Sequence, residues 1–293
     1  MTDRDDGEGE GGGGGGRGGG GGGGTGLPAS IEAAWGLRER PAKGPKPGIG
    51  LTRIVDAAVA IAAAEGLGAV SMGRVAKELG VSTMSLYRYV AAKDELYLLM
   101  HEAAVGEPPP PPEPGTGWRE ALSQWAWTQR AAYHRNLWAL RIPISGPPAT
   151  PNSVAWWERG LNALAGTGLD DGTKISVILL VSGFVRNEAT LMSDLDTAIK
   201  ASGSSAQQVM AGYEHTLRRL ADPARYPAVA ELLAAGGLDG EDGPDTEFTF
   251  GLDRVLDGVE VLVRRRGRGT GTGDGDGAGG DGTGGDGGGG GGA

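Results

Sequence analysis

The sequence predicts an all-α protein: an N-terminal helix-turn-helix domain, a larger helical domain after it, and a glycine-rich tail at each end. Apolar residues recur at the three-and-four spacing of amphipathic helices from Leu51 to about residue 265, and no alternating strand pattern of useful length interrupts them. Glycine supplies 58 of the 293 residues and crowds into 1–27 and 267–293, where too little apolar surface is available to fold. Five successive prolines, Pro108 to Pro112, forbid helix and favour a stiff extended segment. The expected organisation is a disordered tail (1–27), a basic proline- and glycine-rich arm (28–50), a helix-turn-helix domain (51–105), a proline-rich linker (106–117), a larger helical domain (118–266) and a second disordered tail (267–293).

Leu51, Ile54, Val55, Ala58, Ile61 and Ala62 line one face of a first helix, with Thr52 as its candidate N-cap and Gly66 as its stop. Ser71 can cap a short second helix, "MGRVAKEL", that ends at Gly80, and Ser82 can cap a third running to about Val90. A fourth begins near Lys93, where Asp94 and Glu95 complement the positive end of the helix dipole. Beyond the prolines, helical patterns fall at about 117–133, 136–141, 152–165, 173–199, 205–221 and 247–265, with "SGPPATPN" and "GGLDGEDGPD" as loops.

Composition narrows the function classes. With no cysteine there is no disulfide framework and no thiolate site, which fits a reducing, cytoplasmic setting. The N-terminal residues lack the basic and apolar regions of a signal peptide. The longest apolar run, "ISVILLVSGFV" at 175–185, is about half a membrane span and is flanked by Lys174 and Arg186, so a buried helix and no membrane partner are expected. His101, His134 and His215 include no pair at helix-neighbour spacing, so no metal or cofactor is expected. Neither G-x-S-x-G nor a phosphate loop is present, and "GRGTGTG" at 267–273 follows no strand. A helical enzyme is left with no catalytic candidate.

The net charge of −10 speaks against a polyanionic partner only until its distribution is considered. Residues 36–93 carry nine Lys and Arg against four Asp and Glu, whereas 1–35 and 94–293 are acidic. Basic charge confined to one end is expected of a protein that approaches a phosphate backbone with that end, with chance clustering as the other reading of charge alone.

That end contains "KELGVSTMSLY". A helix-turn-helix needs a small residue where its helices cross, here Ala76, and a residue tolerant of left-handed backbone in the turn, here Gly80. Val75, Leu79, Val81, Leu86 and Val90 are the expected apolar spacers. With Leu86 and Val90 inward, Thr83, Met84, Tyr87 and Arg88 must face out, flanked by Ser85. An ordinary solvated face would favour Glu, Lys and Gln. Arg88 can instead grip guanine O6 and N7, methyl groups can meet thymine, and hydroxyls can take phosphate oxygens.

The 50 residues from "LTRIVDAAVAIAAAEG" to "STMSLYRYVAAKDELYLLM", 51–100, resemble the DNA-binding domain of the tetracycline-repressor (TetR) family. The segment "FTFGLDRVLDGVEVLV", 248–263, resembles the last helix of that family's C-terminal domain. The resemblance implies a recognition helix bearing Thr83, Met84, Ser85, Tyr87, Arg88 and Tyr89. Lys93 is implied at a phosphate, with Thr52 and Ser71 as further phosphate contacts. The chain departs from the family pattern at Gly73, where many members carry arginine, which puts one contact of the second helix in doubt; the neighbouring Arg74 is a candidate to compensate. The resemblance also implies a homodimer on palindromic operator DNA, joined through the "ISVILLVSGFV" helix and the final helix, and an unidentified small-molecule effector. Six of the seven tryptophans fall between 118 and 157, so Trp125, Gln129, His134, Trp138 and Trp156 are candidate ligand contacts, with ordinary core packing as the other role. The basic side chains Arg38, Arg40, Lys43 and Lys46 suit either a minor-groove arm or a solubilising linker. An architectural or protein-interaction module that keeps the helix-turn-helix without reading bases remains the alternative.

Overall fold

The computed structural model of the protein describes residues 27–37, 49–144, 146–236, 243 and 245–269. The four basic side chains of the arm lie outside these residues, as do both glycine-rich tails apart from their innermost positions. The described residues form α-helices joined by short 3-10 turns, with no strand among them.

The chain begins with a short helix, α1 (Ala29–Ala34), too brief to show a periodicity in the sequence. It packs on the later helix α5 (Lys93–Val105), and the Trp35 indole after it donates to the Ala149 carbonyl at 2.8 Å. Helix α2 (Leu51–Glu65) buries Ile54, Val55, Ala58, Ile61 and Ala62, the face expected from their spacing. Its cap is Gly50, and Thr52 lies exposed within the first turn with no capping role. The expectation of a Thr52 cap fails because the chain enters helix one residue before it. Ser71 does cap α3 (Met72–Leu79), accepting from the Arg74 amide at 3.1 Å. Ser82 caps α4 (Thr83–Tyr87), accepting from the Ser85 amide at 3.3 Å. Helix α4 closes at Arg88, slightly short of the expected Val90, although Val90 still bonds back to the Leu86 carbonyl.

The helix-turn-helix pivots on Gly80, whose φ of 69° and ψ of 34° place it in the left-handed region. In that conformation the Gly80 and Val81 amides reach back to the Lys77 and Ala76 carbonyls and complete the end of α3. Ala76 is buried at the crossing, and Val75, Leu86 and Val90 are fully buried beneath it.

The larger half contains α6 (Trp118–Arg135), α7 (Pro151–Ala163), α8 (Asp171–Ser202), α9 (Ala206–Leu220), α10 (Pro227–Ala234) and α11 (Thr246–Gly269). Helix α10 was not foreseen: "PAVAELLA" is too short and too uniformly apolar to display a polar face. By length and composition alone α8 could cross a membrane, but it is the central helix of this half, packed against α6, α7 and α11. Val177, Ile178, Val181 and Val185 meet Leu122, Trp125, Phe248 and Leu252 in its core. Gly251 permits the close approach of α11 to α8, since a Cβ there would lie 2.5 Å from the Phe184 ring.

One buried ion pair crosses this core. Arg130 on α6 donates to both carboxylate oxygens of Glu188 on α8 at 3.1 Å and to Asp245, just before α11, at 2.6 Å. Its guanidinium also lies over the rings of Trp127 and Phe248. Three helices thus converge on a single side chain.

The two halves share side chains. A 3-10 turn over Leu137–Arg141, between α6 and α7, sends Trp138, Ala139 and the following Ile142 into the same cluster as Ile54, Leu86 and Leu96 of the N-terminal half. Helix α5 carries further links: Glu102 accepts from the amides of Asn152 and Ser153 at the start of α7, and the Trp156 indole donates to Gly106 O at 3.0 Å.

Candidate functional site

The exposed side of α4 is the first candidate. Leu86 and Val90 anchor it from below, so Met84 stands 74% exposed and Tyr87 45% exposed, with Arg88 also open to solvent. Thr83 and Ser85 are half-buried. Ser85 Oγ shares a hydrogen bond with Ser82 Oγ at 2.9 Å. Tyr89 is turned toward the domain and packs against the N-terminal core, which removes most of its ring from the outward face. Its position one residue after Arg88 rotates it about a quarter turn away. Ser71 and Lys93 lie exposed at the starts of α3 and α5, and the Lys93 ammonium sits 5.0 Å from the Tyr97 ring centroid.

Beside Gly73, Arg74 is engaged by carboxylates of its own chain. Its guanidinium is held between Glu65 at 2.7 Å and Glu78 at 2.8 Å, so it braces α2 against α3.

The second candidate is a cavity of about 560 Å³ bounded by α5, α6, α7, α8 and residues 142–144 and 146–150. Its walls are mainly apolar and aromatic, with Tyr97, Trp125, Tyr133 and Trp156 prominent. That size and lining suit a drug-sized molecule. Of the candidate ligand contacts, Trp125, Gln129 and Trp156 line it. His134 does not, because the end of α6 turns it to solvent, and Trp138 does not, because the 3-10 turn drives it into the N-terminal core. His101 and Arg186 line the cavity instead, and neither has a local signal in the sequence. A wider cleft of about 860 Å³ beside Pro109, Pro110 and Pro112 is open to solvent, and its Arg119 is already paired with Asp257 at 2.8 Å.

Burial, and secondarily the Arg186 guanidinium, hold the His101 imidazole below its ordinary value of 6.5. The folded protein therefore keeps His101 neutral while the unfolded chain takes up a proton first as pH falls. Stability should decline as pH drops below about 6.5 and stop declining on this account only past the depressed folded value. The check is to follow melting temperature from neutral to mildly acid pH in the wild type and in His101→Asn, whose profile should be the flatter. Parallel profiles would remove His101 as the cause.

The family model described as "Bacterial regulatory proteins, tetR family" matches residues 54–100, and "Tetracyclin repressor-like, C-terminal domain" matches 111–263. The chain belongs to the tetR family. Within the family it is 39% identical over 241 residues to the HTH-type transcriptional repressor DrrR1 of Streptomyces coeruleorubidus, covering 81% of this chain and 87% of that protein. Apo ActR from Streptomyces coelicolor superposes with a TM-score of 0.61 at 30% identity, over 78% of this chain and 100% of that one. ActR in complex with actinorhodin gives 0.61 at 31% identity, over 73% and 96%. As in other tetR-family chains, a helix-turn-helix comes first and a helical domain follows.

Proposed function

We propose that this chain is a transcriptional repressor that binds a palindromic operator as a homodimer inside the cell and is released from it by a small molecule. The observation that carries the reading is the outward face of α4, where Met84, Tyr87 and Arg88 stand exposed over a fully buried Leu86. A helix merely solvated on that side has no reason to present a methionine, a tyrosine and a guanidinium together. Thr83 and Ser85 flank the base-reading side chains, with Ser71 and Lys93 placed for phosphate oxygens. Thr52, exposed in the first turn of α2, is a further phosphate contact in this reading, and Tyr89 contributes through its hydroxyl edge. The cavity is the effector site by analogy with ActR, whose structure has been determined with actinorhodin.

Two half-sites read by one dimer should be separated by about a helical turn of DNA or more. Selection of bound duplexes from a random pool should return a palindrome, favoured over scrambled DNA by about a thousandfold or more. Binding without a consensus, falling steeply with salt, would instead favour an architectural role. On the selected operator, Arg88→Ala should cost about 1 to 3 kcal/mol and relax base choice at one position per half-site. Equal weakening on every sequence would mean that Arg88 touches only phosphate.

A further inference from the structure

We infer that the cavity takes a hydroxylated aromatic ligand bearing an anionic group, with the anion seated against Arg186. This rests on the effector reading above and adds the chemical class to it.

Arg186 is a half-buried cation on an otherwise mainly apolar wall. One terminal nitrogen, Nη2, donates to the carbonyls of Leu140 at 2.7 Å and Ile142 at 3.0 Å, and the guanidinium carbon lies 5.8 Å from the Tyr133 ring centroid. These contacts orient the fork without neutralising it, and Arg186 forms no ion pair with a carboxylate among the described residues. A guanidinium left with neutral partners in a half-buried site gains most from a ligand carboxylate or ionised phenol.

The charged neighbours leave that place to a ligand. Glu102, beside His101 on α5, is spent on the amides at the start of α7. Asp94 also borders the cavity but is exposed, about 10 Å from His101 along the helix axis. Neutral His101 can add a hydrogen bond to the same anion.

About one helical turn from Arg186, Gln129 Oε1 is buried without a hydrogen-bond partner, while Nε2 of the same amide reaches Ser182 Oγ at 3.5 Å. An unsatisfied buried acceptor calls for a donor, which a ligand hydroxyl supplies. Tyr97, Trp125 and Trp156 line the same cavity and offer flat apolar surfaces beside these polar groups.

The test uses the full chain and two fluorescent probes of nearly equal shape, 3-hydroxy-2-naphthoate and its neutral carboxamide. Binding is read by quenching of tryptophan emission and by displacement of the selected operator. The acid should bind about 10- to 100-fold more tightly than the amide. Arg186→Gln should abolish that preference while leaving amide affinity in place, and Arg186→Lys should retain part of it. Equal binding of the two probes by the wild type, binding of neither, or a preference that survives in Arg186→Gln would overturn the inference. The wild-type comparison stands even where the substitution disturbs the 137–142 turn. Preferential acid binding without operator release would uphold the ligand class and count against effector control. Release by both probes alike would do the reverse.

Discussion

Replacing Leu180 and Leu191 together with glutamate is expected to leave a folded monomer that binds the selected operator about 100-fold more weakly or worse. Helix α8 buries Val177, Val181 and Val185 within its own chain, yet Leu180 and Leu191 remain 55% and 51% exposed. Eleven residues is almost three whole turns, so both lie on one stripe. Phe250 and Val261 repeat the same eleven-residue stripe on α11 and are likewise exposed. Two adjacent helices with apolar stripes facing solvent offer a surface that a second copy would cover in the homodimer proposed above, and a twofold axis would close them into a four-helix contact. Glutamates at that axis would confront their symmetry mates. Because both leucines are exposed within the protomer, its own core is undisturbed. Sedimentation equilibrium and operator titration check this. A retained dimer mass, or a monomer with unimpaired operator affinity, would place the interface elsewhere.

Arg130→Ala is expected to destabilise the protein by about 3 to 5 kcal/mol, because it leaves Glu188 buried without its cation. The loss should exceed that of an exposed pair such as Lys200 with Asp196 on α8, worth at most about 1 kcal/mol. Arg130 also packs its stem and guanidinium against Trp127 and Phe248, so part of the loss is aromatic contact. Pairing Arg130→Met with Glu188→Leu separates the parts: removing both charges should restore much of the stability that either single change loses. Equilibrium denaturation of the single and double variants measures it, and additive losses would show that the pair contributes no coupling.

How much of this was legible in the sequence follows from the range of the interactions involved. The helix-turn-helix is local: Ser71, Gly80, Ser82 and the spacing of Val75, Leu86 and Val90 each act within a few residues, so pattern alone located the turn and the outward face of α4. The cavity is not local. His101 and Arg186 are 85 positions apart and meet only because α5 and α8 are brought to the same space. Trp138 misled for a related reason, since its neighbours in sequence belong to one half and its neighbours in space to the other. The pairing of Arg74 is likewise partly non-local, since Glu65 on α2 reaches it only through the packing of α2 on α3. At Thr52 the error was a single residue of helix start, which is beyond what capping preferences resolve.

The inserted 3-10 turn bears on how such regulators can be recombined. Trp138, Ala139 and Ile142 complete the hydrophobic cluster beneath the DNA-reading helices, so residues 51–105 are not a detachable cassette. A chimera that joins this N-terminal segment to another sensor domain would leave a hole where the indole sits, and one that grafts the sensor alone would carry an indole with nowhere to go. Exchange of specificity between relatives should therefore succeed by swapping the exposed residues of α4, or by transplanting the segment together with its matching turn, and fail at a junction drawn through the proline-rich linker.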